Sequence, residues 1–159
     1  MKNLSKEVSL LYLQDRFKTL KTAMLTTYSN TNGFRARPAG TADVDNEGNI
    51  WFFTNEYALN VDEISVENTV SLTYSDPHNH TYLSILGKAD LVDDKARMIA
   101  LWTPFIKAFF QEDLDDPKLT LLRVKPVKAE YWDSDPGVAM ELFNMTEPPR
   151  YEESWLDHW

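Results

Sequence analysis

Residues Arg35–Glu63 read RARPAGTADVDNEGNIWFFTNEYALNVDE, and this stretch decides the fold. Thr41-Ala-Asp-Val44 leads into Asp45-Asn-Glu-Gly-Asn49, whose Gly and Asn tolerate the positive φ of a hairpin tip. Ile50-Trp-Phe-Phe-Thr54 is a β-branched and aromatic run too short for a helix, so it predicts a buried strand. Ala58–Val66 then takes up a helical spacing. A strand, a tight turn, a second strand and a short helix follow one another. The polar groups of Phe53-Thr-Asn55 therefore gather where the buried strand ends, and Arg35-Ala-Arg-Pro38 lies on the neighbouring strand.

Outward from this hairpin the same periods recur. Ala23–Tyr28 predicts the first strand, closed by the turn cluster Ser29–Gly33. The second strand runs over about 34–44, and Pro38 within it marks an edge position or a bulge. Thr69–Tyr74 alternates cleanly and is the fourth strand. Thr81–Val92 is a longer fifth strand, where Gly87 lets a barrel curve through a bulge or bend. Leu119–Val124 and Lys128–Trp132 form the last strand, interrupted at Pro126. Three helices complete the set. The first covers residues 4–21, with Leu10, Leu13, Phe17 and Leu20 on one face. The second is 58–67. The third runs from Asp93 or Asp94 through about Phe110, and Pro104 predicts a kink or break within it. Met140–Met145 reads as a helical turn. Six strands joined mostly by hairpins favour a mainly β chain, a small closed or split antiparallel barrel with peripheral helices.

Composition bounds the function. A chain of 159 residues, 43% apolar and 13% aromatic, is a single domain by default with enough apolar mass for a core. No apolar run approaches the length of a membrane span. MKNLSKEVSLLYLQDRF is charged from its start and lacks an apolar centre, so it does not read as a signal peptide. The absence of cysteine excludes disulfides, thiol catalysis and cysteine-ligated metals, and a cytoplasmic location fits. The net charge of −9 argues against a basic face for nucleic acid. Most of that charge is local. Asp133–Trp159 sets seven acids against Arg150 alone, so the remaining body is nearly balanced. The same segment carries Leu142, Phe143, Met145, Tyr151, Trp155, Leu156 and Trp159, more large apolar side chains than a disordered tail holds. It is expected to dock on its own body or across a dimer.

Chemistry-bearing motifs are few. The histidines are His78, His80 and His158. His78-Asn-His80 beside Asp76 is a thin ligand set, and a loop His-X-His without further ligands is more often solvated, so no metal is assigned. No Ser-His-Asp order, phosphate-cradling glycine loop or dinucleotide fingerprint is present.

Several segments, by their order and spacing over residues 8–134, resemble a known family. They are Arg37-Pro38, Ile50-Trp-Phe-Phe-Thr-Asn55, Val61-Asp-Glu-Ile64, Val70-Ser-Leu-Thr-Tyr74 and Leu83-Ser-Ile-Leu-Gly-Lys-Ala89. Leu101-Trp102, Asp116-Pro-Lys-Leu119, Leu121-Leu-Arg-Val124 and Ala129-Glu-Tyr-Trp132 also fit. Together they are similar to the general stress protein 26 group of the pyridoxamine 5'-phosphate oxidase-like FMN-binding split barrels. The resemblance implies a six-stranded antiparallel split β-barrel over residues 1–134, followed by an acidic, aromatic tail over 135–159. It further implies a homodimer, with flavin (FMN) held at the dimer interface, and a flavin-dependent oxidoreductase.

By the same resemblance, Arg37 and Pro38 line one side of the flavin ring pocket, and Phe53, Thr54 and Asn55 the other. Arg35 or Arg37 meets the phosphate. Trp102 and Trp132 match family positions, where a tryptophan stacks on the flavin or packs the dimer core. Phe52 and Phe53 also suit plain core packing, and Arg37 surface ion pairing. Relatives carry a serine and a basic pair after the Thr-Asn step, whereas here Ala58, Leu59 and Asn60 stand at those places. Phe109-Phe110-Gln111-Glu112 likewise replaces a Trp-Phe-Pro run. Charge-assisted contacts grip phosphate more strongly than neutral ones. The alternative is therefore a flavin-free dimer that binds another small molecule or serves a stress response without catalysis.

Overall fold

The computed structural model describes residues 2–3, 6–30, 32–55, 68–111, 113–132 and 139–144. The second expected helix, with Asn60, and most of the tail lie outside these residues. The chain order is β1 (Lys2–Asn3), α1 (Lys6–Arg16), β2 (Thr22–Ser29), β3 (Gly33–Val44), β4 (Ile50–Asn55), β5 (Thr69–Asp76) and β6 (Thr81–Val92). It continues with α2 (Lys95–Leu101), α3 (Pro104–Lys107), β7 (Leu119–Trp132) and β8 (Ala139–Asn144).

Strands β2 to β7 are the six expected ones. They close in the order β7-β4-β3-β2-β5-β6, with β6 returning to β7 along Val92↔Leu121 to Tyr82↔Trp132. Every pairing within this ring is antiparallel, which makes it a closed six-stranded barrel. The barrel interior is filled by Leu25, Ile50, Phe52, Leu72, Leu83, Ile85, Leu122 and Val124. Leu13, Phe17 and Leu20 close it from the first helix and the turn after it. A second layer lies outside β4 and β7. There Trp51, Phe53, Leu119 and Leu121 pack under Met98 and Ile106 of α2 and α3. Alternation along β4 sends Ile50 and Phe52 inward, Trp51 and Phe53 outward. With both faces covered, the run is apolar throughout rather than alternating.

The structure corrects three expectations and bears out a fourth, the break at Pro104. Helix α1 ends at Arg16, and Phe17 and Leu20 reach the core from a turn. The third helix breaks at Trp102-Thr103, because Pro104 starts a new turn whose N-cap is the Thr103 hydroxyl, accepting from Ile106 N at 3.3 Å. Strand β7 is continuous through Pro126, since the register slips between Leu86 and Gly87 and the extra residue, Val127, absorbs the missing donor. Residues 139–144 are not helical but form β8, antiparallel to β7 from Lys128↔Asn144 to Trp132↔Ala139.

Asp45 organises the β3–β4 hairpin. Its Oδ1 accepts from Glu47 N and Asn49 N at 2.9 Å each, and its Oδ2 accepts from Trp51 Nε1 at 2.8 Å and Asn49 Nδ2 at 3.2 Å. Gly48 supplies the positive φ of the tip. Among the described residues no helix is long and apolar enough to cross a membrane.

Candidate functional site

The β3–β4 ladder is short. It runs from Val44↔Ile50 to Thr41↔Phe52, with a bulge between Thr41 and Asp43, and stops there. Beyond that rung Gly33–Gly40 pairs with β2, and Phe53–Asn55 with β7. A bulge raises local twist and bends the strand, so the two strands splay and a cleft opens between them.

Pro38–Gly40 forms one wall of the cleft and Phe52–Thr54 the other, over a floor of Leu25 and Leu122 from the barrel core. Phe109 and Phe110, from the turn that follows α3, close the outer side. Gly40 is required here, because a Cβ on it would stand 2.7 Å from Phe109 Cε2 and 3.1 Å from Phe105 Cε2. The open space amounts to about 90 Å³. Arg37 is opposite Leu25 and so shares the inward face of the barrel wall. Its Nη1 and Nη2 both donate to Thr27 Oγ1 at 2.9 Å, and Nη1 also donates to the Arg35 carbonyl at 2.8 Å. Arg37 is the only charged side chain, and Thr54 the only other polar one, among the described residues that line the cleft.

Arg37, Pro38, Phe53 and Thr54 are thus brought together, while the other expected site residues are not part of this lining. Arg35 is exposed two pairs further along β3, opposite Thr27. Asn55 is half-buried at the end of β4, opposite Leu119. Trp102 stands behind the cleft, with its ring edge-on to Phe53 at 5.1 Å and 6.4 Å from Phe110. It supports two lining residues from the second core layer. Trp132 pairs with Tyr82 and Ala139 at the far end of β7, remote from Thr120, the partner of Thr54.

Sequence reasoning missed Thr27, Gly40 and the closing position of Phe109. An isolated glycine within a strand marks close approach, so Gly40 carried a readable signal. Thr27 carried none. His78 and His80 flank a short turn in which Asn79 Nδ2 donates to Asp76 at 2.7 Å, and no group of three or more metal-ligating side chains gathers among the described residues.

Outside the cleft, the face shared by β3, β2 and β5, with Ser84 and Leu86 of β6, is uncharged over a wide area, and the exposed Lys88 of β6 stands at its margin. Pro38, Ala36 and Phe34 lie beside Met24, Thr26 and Tyr28; then come Ser71 and Thr73, and then Leu86 and Ser84. Met24, Tyr28, Phe34, Tyr82 and Leu86 are all exposed there, Phe34 to 79%. Pro38 belongs both to this face and to the cleft wall.

The model of the family described as "pyridoxamine 5'-phosphate oxidase like" matches residues 9–148. No curated protein matches the chain. Among solved structures, the general stress FMN/FAD binding protein from Xanthomonas citri superposes with a TM-score of 0.66 at 26% identity, over 84% of this chain and 94% of that one. A protein from Clostridium acetobutylicum related to general stress protein 26 reaches 0.68 at 18% identity, over 86% and 95%. A pyridoxamine 5'-phosphate oxidase-related, FMN binding protein from Nostoc punctiforme reaches 0.57 at 15%, over 84% and 87%.

Proposed function

The chain belongs to the pyridoxamine 5'-phosphate oxidase-like family, and on that premise we propose that it is an FMN-binding protein of the general stress protein 26 type, a homodimer acting as a flavin-dependent oxidoreductase. One observation carries the reading: Arg37, Pro38, Phe53 and Thr54 converge on the cleft where β3 and β4 part. The relative from Xanthomonas citri, named for FMN/FAD binding, adds weight at 26% identity.

The residues fit this cofactor. A flavin ring is flat and largely apolar, and Phe52, Phe53, Leu25 and Pro38 offer apolar walls to it. The phosphate needs a cation or backbone N–H groups, and Arg37 supplies the cation. The cleft of one chain, about 90 Å³, is smaller than the roughly 300–1,000 Å³ of ordinary ligand pockets. It therefore takes part of the cofactor, and the rest needs further walls. Because Pro38 also lies on the uncharged outer face, a second copy docked on that face would supply them.

Bound FMN would supply two-electron transfer. The chain's own residues bind and orient the ring and keep water from it. No general acid or base is assigned, since Arg37 stays protonated at any working pH and Thr54 is a neutral hydroxyl. Oxidation of pyridoxamine phosphate is no part of this reading, because that substrate's phosphate would need a second cation in the cleft.

The test is a titration of the purified protein with FMN, read by quenching of flavin fluorescence. Saturation at one FMN per chain supports the proposal, and reduction of the bound flavin by a nicotinamide donor supports the oxidoreductase part. Ala58, Leu59 and Asn60, which carry no charge, favour a second reading, a dimer that binds another small molecule without flavin. A colourless protein that leaves FMN fluorescence unchanged would establish that reading instead.

A further inference from the structure

We infer that the open cleft between the end of α1 and the β5–β6 turn is a second small-molecule site, one that takes a polar molecule bearing a phosphate group, with Arg16 as its receptor. This cleft shares no lining residue with the β3–β4 cleft and stands independently of the flavin reading.

Tyr12 and Arg16 are four residues apart on α1 and so lie on one face of it. The Arg16 guanidinium is seated on two rings, 4.7 Å from the centre of Tyr12 and 5.7 Å from that of Tyr131, which is buried on β7. The rings hold the cation in place without giving it an anion. Its Nε is buried without a hydrogen-bond partner, and Nη2 is 3.9 Å from Asp15 Oδ2, too long for a hydrogen bond. Asp15 is also nearer to Lys18 Nζ, at 3.6 Å. Among the described residues the guanidinium is therefore an ordered cation with donors to spare, and ordering before the ligand arrives raises affinity.

The opposite wall is the turn at Pro77–Asn79, which places His78, Asn79 and His80 on the cleft. The nearby carboxylate of Asp76 is engaged, accepting from Asn79 Nδ2 at 2.7 Å. His80 has φ 53° and is the one non-glycine with positive φ among the described residues. Glycine would hold that position at less cost, and histidine there keeps an imidazole at the cleft wall. A ring N–H is available from each histidine in either protonation state. An arginine fork faced by two imidazoles suits a group with three acceptor oxygens and close to two negative charges better than a carboxylate. The cleft encloses about 500 Å³, within the roughly 300–1,000 Å³ of small-molecule pockets and more than a phosphate alone fills. Its polar walls ask for a polar body behind that phosphate.

The test is a titration of the full chain with inorganic phosphate at fixed ionic strength, read by amide correlation spectra. Saturable shifts are expected at the amides of His78–Thr81 and at Arg16 Nε–H, and acetate should bind more weakly than phosphate. Arg16→Met keeps a flexible stem against the tyrosine rings and removes the donors. It should weaken phosphate binding about tenfold, as the loss of one charge-assisted contact implies. Thermal melting checks folding. Should Arg16→Met not fold, the double variant His78→Gln/His80→Asn, on the exposed turn, takes its place and should weaken binding by at least about threefold. The inference is overturned by the lack of a saturable response, by shifts confined to the surroundings of Arg37, or by an unchanged dissociation constant in the variant. Acetate binding as tightly as phosphate would overturn the choice of ligand.

Discussion

The ring of Phe109 rests on the backbone of Gly40, so closely that a Cβ at Gly40 would come within 2.7 Å of Phe109 Cε2. The obstacle is the far end of a side chain that is 36% exposed, so it can swing aside. Gly40→Ala should accordingly cost little stability, about 1 kcal/mol, at the mild end of overpacking. It should nevertheless alter flavin affinity by displacing the residue that closes the cleft. Combining it with Phe109→Ala should return the stability of Gly40→Ala to that of Phe109→Ala alone. Urea denaturation of the two single variants and the double variant measures this coupling, and strict additivity would refute it.

Gly87 presents the opposite case. A Cβ there would meet Val124 Cγ1 at 2.7 Å and the Lys125 carbonyl oxygen at 2.8 Å. The second obstacle is backbone, in the strand that closes the barrel, and it lies at the slip where β6 and β7 lose register. Gly87→Ala should destabilise by about 1–3 kcal/mol, more than Gly40→Ala. A smaller urea-midpoint shift for Gly87→Ala than for Gly40→Ala would show that the bulge at Val127 gives way instead.

Asp45 sets the acid limit of the hairpin. Partial burial alone would push its carboxyl up, but hydrogen bonds from Trp51, Asn49 and Glu47 outweigh that and hold it below the ordinary carboxylate value. A carboxylate depressed in the folded state stabilises fully above its unfolded value, about 3.9. That contribution is lost as pH falls through the folded value. Asp45→Asn should therefore lower the melting temperature at pH 7 and flatten its decline below about pH 4. Trp51 fluorescence reports the same hairpin. Parallel melting curves for the two proteins across this range would refute the assignment.

The barrel was legible because its strands announce themselves, some by alternation and others by short β-branched and aromatic runs. Thr69–Tyr74 and Ile50–Thr54 read as strands from side-chain type alone, and they are β5 and β4. The misreadings share a cause, which is a partner far away in sequence. Met140–Met145 has no period of its own, and 139–144 becomes a strand because the edge of β7 is open to it. Pro126 looked like a break, but one extra residue on β7 accommodates it. At the site, Arg37, Pro38, Phe53 and Thr54 could be named from motif order, and they share a cleft. The tie from Arg37 to Thr27 and the seat of Phe109 on Gly40 could not. Each depends on how two strands or a helix turn come to face one another, and no local pattern records that.

Tyr74 and Thr41 meet at the last rung before β3 and β4 separate. Their hydroxyl oxygens are 2.6 Å apart, and Tyr74 is fully buried. Burial pushes the phenol well above its ordinary value, against the bond to Thr41, so the phenol is neutral when folded. The contribution to stability is full below the unfolded value, about 10, and falls as pH rises beyond it, because only the unfolded chain then ionises. Tyr74→Phe should destabilise by about 1–2 kcal/mol at pH 7, leaving the Thr41 hydroxyl without this partner. It should also lose less stability than the native protein between about pH 9.5 and 11. Melting temperatures across that range decide it, and an identical alkaline decline in both proteins would exclude Tyr74 as the cause.

The uncharged outer face yields the last prediction. Met24 and Leu86 are exposed on it at 42% and 45%, beside Ser71, Thr73 and Ser84, which cost little to desolvate when paired across an interface. A standard protein interface buries about 800 Å² per partner, with charged residues depleted at its core. Leu86→Asp would bury a carboxylate in such a contact, where the neighbouring Lys128 and Lys88 repay its desolvation poorly, and should turn a dimer into a monomer, as read by light scattering. Pro38 joins this face to the cleft, so the same variant should also weaken FMN binding, although Leu86 does not line the cleft. A dimer that survives Leu86→Asp would assign the interface to another surface. A monomer with undiminished flavin affinity would mean that a single chain completes the site, and Phe109 and Phe110 would then have to move to admit the ring.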